Sequence, residues 1–75
     1  MNKTITVSGQ AFTLRPLTFA EVKKLRADKE TLPYEAPATW VVPENALDAL
    51  PFPGVKQIAD EVYDLTFGKP ETEGN

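Results

Sequence analysis

Alternating polar and apolar residues predict a β-hairpin at the start of the chain. Residues 4–7 and 12–15 each place an apolar side chain at every second position, as strands with one buried face do. A short polar stretch separates the two segments, so a hairpin is predicted over residues 4–15. The side chains expected on its buried face are Ile5, Val7, Phe12 and Leu14.

The register of this hairpin depends on which two residues form its loop. A loop of Gly9 and Gln10 would use the positive φ that glycine adopts readily, as a type II′ turn requires. A loop of Ser8 and Gly9 would instead pair Val7 with the polar Gln10, so the apolar pattern favours the first register. The cross-strand pairs predicted in this way are Val7–Phe12 and Ile5–Leu14.

The segment after the hairpin carries the signals of a helix start. Thr18 is a suitable N-cap, and Glu21 three residues later completes a capping box. We therefore predict a helix over residues 19–28. Its apolar stripe, expected to be buried, consists of Phe19, Val22 and Leu25. Its predicted solvent face carries the cations Lys23, Lys24 and Arg26.

Residues 30–43 form a proline-rich bridge in which Pro33, Pro37 and Pro43 prevent a continuous helix. The bridge nevertheless carries more large apolar side chains than a linker needs. Residues 40–42 are predicted to form either a short third strand or an arm that folds over the core. Four residues in and after the bridge either complete the core or contact another protein: Tyr34, Trp40, Val42 and Phe52.

Apolar periodicity predicts two further helices, over residues 44–50 and 55–67, with residues 51–54 as a break between them. Residues 69–75 are expected to be a polar disordered tail. Residues 1–68 are thus expected to form a single small α+β domain. Its N-terminal β-hairpin would be followed by two to three short helices packed on one face.

Charge is distributed unevenly along this acidic chain of net charge −3. Residues 1–29 carry a net +4 and residues 30–75 a net −7. An acidic chain is a poor candidate for binding nucleic acid, so no such partner is expected. The helix cations Lys23, Lys24 and Arg26 form either a solvated face or an electrostatic rim for a protein partner.

The residue types present exclude most catalytic chemistry. The chain has no Cys and no His, which removes thiolate nucleophiles, Ser-His-Asp triads and the usual zinc ligands. Asp60, Glu61 and Asp64 are dense enough to consider a cation site, but a solvated acidic face is favoured. With 75 residues, one small core is possible. We expect no enzyme activity, cofactor or metal, and a binding role that includes possible self-association.

Residues 4–27 combine a short hairpin with a segment, TLRPLTFAEV at residues 13–22, that leads into a helix. This combination resembles the start of small tail assembly chaperones of long-tailed bacteriophages. The resemblance implies a chaperone that binds the tape-measure protein, the tail-tube protein or both in the host cytoplasm, and that leaves before the virion is complete. No run of about 18 apolar residues predicts a membrane span.

Two alternative functions remain open at the level of the sequence. The chain can be a minor structural protein of a phage tail or connector, which would remain in the virion. It can also be a small phage-encoded inhibitor of a host protein, blocking a basic site with the acidic helix that carries Asp60, Glu61 and Asp64.

Overall fold

The computed structural model describes residues 2–68 and shows the predicted α+β class, a hairpin followed by several short helices. The two strands pair into one antiparallel sheet, and α4 packs against both strands and against α2. The predicted tail at residues 69–75 lies outside the described residues. The elements are β1 (Lys3–Val7), β2 (Gln10–Leu14), α1 (Phe19–Ala27), α2 (Ala36–Val41), α3 (Glu44–Asp48) and α4 (Phe52–Phe67).

The hairpin loop consists of Ser8 and Gly9, and the predicted Gly9-Gln10 loop is wrong. Ser8 has φ of 52° and Gly9 of 80°. Positive φ at both central residues is the requirement of a type I′ turn, whose twist matches that of the flanking strands. Val7 consequently pairs with Gln10, and the register differs by two residues from the prediction.

The faces of the hairpin are as predicted, because a shift of two residues leaves every side chain on its side of the sheet. In the observed register Ile5 lies opposite Phe12. Val7, Phe12 and Leu14 are buried and Ile5 is half-buried. On the other face, the hydroxyl oxygens of Thr4 and Thr13 lie 3.3 Å apart.

Helix α1 begins with the predicted capping box. The Thr18 hydroxyl accepts a hydrogen bond from the Glu21 amide at 3.2 Å, and the Glu21 carboxylate accepts one from the Thr18 amide at 2.9 Å. These contacts satisfy two of the amides that a helix N-terminus leaves unpaired. The helix ends at Ala27, one residue before the predicted end.

The predicted buried stripe of α1 is wrong at Phe19, which is 74% exposed. Val22 and Leu25 are half-buried against the core, and no residue of α1 is fully buried. Leu17, two residues earlier, enters the core instead, and its amide donates to the Thr66 hydroxyl at 2.9 Å. The core contact of this segment is therefore made before the helix begins.

Arg15 joins the hairpin to α1 and α2. Its guanidinium donates to both carboxylate oxygens of Glu21 at 2.8 and 3.0 Å, and to the carbonyls of Pro16 and Trp40 at 3.1 Å each. The hydrogen bonds from Arg15, aided by the Thr18 amide, lower the pKa of Glu21 to about 2. The ion pair thus contributes to stability above the ordinary carboxyl pKa, and this contribution is lost as the pH falls towards 2.

The proline-rich bridge contains helix α2, so a third strand at residues 40–42 is wrong. With α2, residues 2–68 hold four helices, one more than the two to three predicted. Pro37 lies in the first turn of α2, where its missing amide hydrogen breaks no helical hydrogen bond. Ala36, Pro37 and Ala38 are buried, and α2 packs against α4. The alternative predicted for residues 40–42, an arm folded over the core, agrees with the burial of Val42 and the half-burial of Trp40 and Val41 against the core.

Helix α4 begins at Phe52, three residues before the predicted start, and α3 ends at Asp48, two residues before its predicted end. Pro53 fits the first turn of α4, and Gly54 is buried there. A Cβ atom at position 54 would lie 2.8 Å from Val7 Cγ1, so glycine permits the close approach of α4 to β1. Ile58, Ala59 and Val62 then fill the core.

None of the helices within residues 2–68 combines the length and the apolar character that crossing a membrane requires.

Candidate protein-binding groove

A groove with a volume of about 410 Å³ lies between the C-terminal half of α1, the turn after it and α4. We refer to it as the α1–α4 groove. Its volume lies within the range of typical ligand sites. Its lining residues are Leu25, Arg26, Lys29, Leu32, Pro33, Tyr34 and Tyr63.

The turn after α1 forms one wall of the groove. The Asp28 carbonyl accepts hydrogen bonds from the amides of Thr31 and Leu32, both at 2.9 Å, which folds the chain back at the end of α1. Pro33 disfavours helical backbone in the residue before it, so the helix does not resume here. Tyr34 follows and reaches α4.

A row of aromatic rings extends from the groove along α4. Tyr34 and Tyr63 stack with ring centroids 4.7 Å apart, and Tyr63 and Phe67 with centroids 6.1 Å apart. Tyr34 is 50% exposed and Phe67 is 51% exposed. About half of the surface of Tyr34 and of Phe67 is therefore free to contact another molecule.

The hydroxyl of Tyr34 donates to the Asp60 carboxylate at 2.6 Å. This hydrogen bond, together with desolvation and the negative charge of Asp60, raises the pKa of Tyr34 to about 12. Burial raises the pKa of Tyr63 as well. Both tyrosines consequently remain neutral over the physiological range, and Tyr34 is fixed as a hydrogen-bond donor.

Replacing Asp60 with asparagine is expected to lower the pKa of Tyr34 from about 12 towards its ordinary value of 10.0, because the charged acceptor is lost. In the unaltered chain, the raised pKa of Tyr34 contributes to the free energy of unfolding. The contribution is present in full below pH 10 and disappears as the pH rises towards 12. Tyrosinate absorbance measured against pH gives the titration. Asp48→Asn, at the end of α3, is the control. Unchanged titration in Asp60→Asn would contradict the contact.

The two edges of the groove differ in charge. Arg26 and Lys29 line the edge formed by α1 and the following turn. Asp60 holds the Tyr34 hydroxyl at the α4 edge, and Asp64 lies close enough to raise the pKa of Tyr34 further. In the described part of the chain, the groove lining holds two cations and no carboxylate. The groove is thus positive on the α1 side and negative beyond Tyr34.

Two of the residues proposed from the sequence, Tyr34 and Arg26, line the groove, and the others lie elsewhere. Val42 is only 5% exposed and belongs to the core, which corrects its candidacy as a partner contact. Phe52 is 59% exposed at the start of α4, outside the groove lining. The pattern of apolar residues in the bridge therefore did not distinguish side chains of the core from side chains of the surface.

Trp40 and the remaining cations lie outside the groove lining. Lys24 lies over the half-buried ring of Trp40, with its Nζ atom 5.8 Å from the ring centroid. Lys23 lies over the exposed ring of Phe19 at 5.1 Å. Each lysine thus has an aromatic neighbour within the fold, a contact that is weak at exposed sites.

Sequence reasoning missed five lining residues, of which Tyr63 is the most informative. The helical spacing of four residues, Asp60, Tyr63, Asp64 and Phe67, places them on one face of α4. This spacing could have predicted an aromatic pair on the acidic face of the helix. The missed residues are Leu25, Lys29, Leu32, Pro33 and Tyr63.

The acidic residues of α4 take part in separate contacts. Asp60 accepts from Tyr34, whereas Glu61 pairs with Lys3 at 2.7 Å. Within residues 2–68 no group of three or more His, Cys, Asp or Glu side chains is arranged to hold a metal ion. What the groove offers chemically is apolar surface, stacked rings and a charged rim. No family model, curated protein or solved structure matches this chain.

Proposed function

We propose that this chain is a non-catalytic tail assembly chaperone of a long-tailed bacteriophage. It would bind the tape-measure protein, the tail-tube protein or both in the host cytoplasm while the tail is assembled. The α1–α4 groove is the observation that supports a binding role, because its apolar and aromatic side chains remain partly exposed beside a charged rim. The resemblance of residues 4–27 supports the choice of partner.

The groove fits reversible masking of a partner's apolar surface. Tyr34 and Phe67 are half-exposed and Leu32 is partly buried, so covering the remaining surface gains about 1 kcal/mol for each ring and less for Leu32. Association itself costs several kcal/mol, so these anchors and the charged rim together give at most moderate affinity. Moderate affinity suits a chaperone, because the partner has to be released before assembly ends.

The test is co-purification of the tagged chain with the tape-measure and tail-tube proteins of the same phage. We expect at least one of them to co-purify, and Leu32→Glu to reduce the yield because it places a charge in the groove. Lys56→Glu, an exposed reversal on α4 outside the groove lining, is the control. If neither protein co-purifies with the unaltered chain, the proposed function is wrong.

Purified virions separate the chaperone from the structural alternative. A chaperone leaves before the virion is complete, so mass spectrometry of purified virions should not detect the chain. A minor tail or connector protein would be present at a fixed ratio to the other tail proteins, and that result would favour the alternative. An inhibitor acting through the acidic helix would require a host partner whose binding is lost when Asp60, Glu61 and Asp64 are reversed in charge.

A further inference from the structure

We infer that the α1–α4 groove receives one amphipathic helix of a partner protein, with carboxylates along the edge that faces α1. Its apolar stripe would cover Leu32, Tyr34 and Tyr63, and its carboxylates would face Arg26 and Lys29. The identity of the partner rests on the proposed function. The chemical class of the bound segment is argued from the groove alone.

The make-up of the groove walls favours a helix over an extended strand. All lining residues belong to α1, α4 or the turn between α1 and α2, and none belongs to β1 or β2. Strand addition needs a free sheet edge, which this groove does not provide in the described residues. Recognition here is made by side chains, as in helix-in-groove binding, where anchors recur at i, i+3 or i+4, and i+7.

The row of aromatic rings, which continues past the groove lining to Phe67, has a spacing that suits such a helix. The steps from Tyr34 to Tyr63 and from Tyr63 to Phe67 are 4.7 and 6.1 Å. Each step is close to the 5.4 Å rise of one α-helical turn. Side chains on successive turns of a bound helix can therefore meet successive rings.

Charge complementarity defines the polar edges of the bound helix. Arg26 and Lys29 line the α1 side, so carboxylates placed there are attracted. On the other side of Tyr34, the negative charges of Asp60 and Asp64 on α4 repel carboxylates of a bound helix. A bound helix that carries carboxylates along a single edge can place them beside Arg26 and Lys29 and away from Asp60 and Asp64. Turning the helix end for end would exchange its two edges, so the charges also fix its direction in the groove.

The experiment uses the full chain and two synthetic helical peptides of about four turns. One peptide has leucines at i, i+3 and i+7 with glutamates along one edge and glutamines along the other; the second replaces the glutamates with lysines. Binding is measured by calorimetry, and the site by amide chemical-shift changes. We expect the glutamate peptide to bind at least about tenfold more tightly and to shift Leu32, Tyr34 and Tyr63.

Charge reversal on the chain tests the same contact from the other side. Arg26 is exposed, so Arg26→Glu is expected to fold and to weaken binding of the glutamate peptide about fivefold while strengthening that of the lysine peptide. Lys56→Glu, the matched reversal outside the groove, should change both affinities less than about twofold. Equal binding of both peptides, or shifts confined to other residues, would overturn the inference.

Three further outcomes distinguish a wrong groove inference from a wrong proposed function. Concentration-dependent self-association that Arg26→Glu abolishes would identify a second copy as the occupant and overturn the partner helix. Co-purification of the tape-measure or tail-tube protein that neither Arg26→Glu nor Leu32→Glu reduces would overturn the groove inference while the proposed function stands. Peptide binding as expected, with neither phage protein co-purifying, would support the groove inference while the proposed function fails.

Discussion

Leu14→Ala is expected to lower the free energy of unfolding by about 3–4 kcal/mol. Leu14 is completely buried at the end of β2 and is among the largest side chains in the core. Truncation removes its apolar contacts and leaves a cavity beside a two-stranded sheet that α4 holds in place. A domain of this size has a total stability of roughly 4–11 kcal/mol, so the loss is a large part of it.

Urea unfolding followed by circular dichroism and by Trp40 fluorescence measures this change. The matched control is Leu32→Ala, the same truncation at a half-buried groove position outside the hydrophobic core. It should cost less than about 1.5 kcal/mol, because less apolar surface is lost and water can fill the space. Equal costs at the two positions would show that Leu14 does not occupy the centre of the core.

Local signals in the sequence correctly predicted the hairpin faces and the capping box. The two faces follow from a period of two, which holds in either register. The capping box depends only on Thr18 and Glu21, three residues apart. The register itself required Ser8 to adopt a positive φ, a conformation that residue preferences favour for glycine rather than serine.

Contacts between segments that are distant in the sequence determine the features that the local pattern did not predict. Prolines were interpreted as breaks, yet Pro37 and Pro53 lie in first turns, where helices accept them. Trp40 and Val42 look alike in the pattern, but Val42 is buried in the core whereas Trp40 is only half-buried against it. The groove combines Tyr34 and Tyr63 from segments 29 positions apart, a pairing with no local signature.

Gly54→Ala is expected to lower the free energy of unfolding by about 1–2 kcal/mol, although alanine is the better helix former by about 1 kcal/mol. The new Cβ atom would lie 2.8 Å from Val7 Cγ1, closer than van der Waals contact allows. Val7 is only 4% exposed, and its branched side chain is stiff at χ1, so it cannot turn away. The early start of α4 thus depends on glycine at position 54.

A double-mutant cycle measured by urea unfolding attributes this cost to the contact with Val7. In a Val7→Ala background the space is free, so Gly54→Ala should be neutral or stabilising, with a coupling energy of about 1–2 kcal/mol. Gly68→Ala is the control: its φ of 80° strains any side chain, but nothing lies within 4 Å of its Cβ position. Because φ of 80° with ψ of 164° is a backbone region that essentially only glycine adopts, the cost of about 1–3 kcal/mol should be the same in both backgrounds. A Gly54→Ala cost that Val7→Ala leaves unchanged would mean that the close approach of α4 to β1 does not restrict position 54.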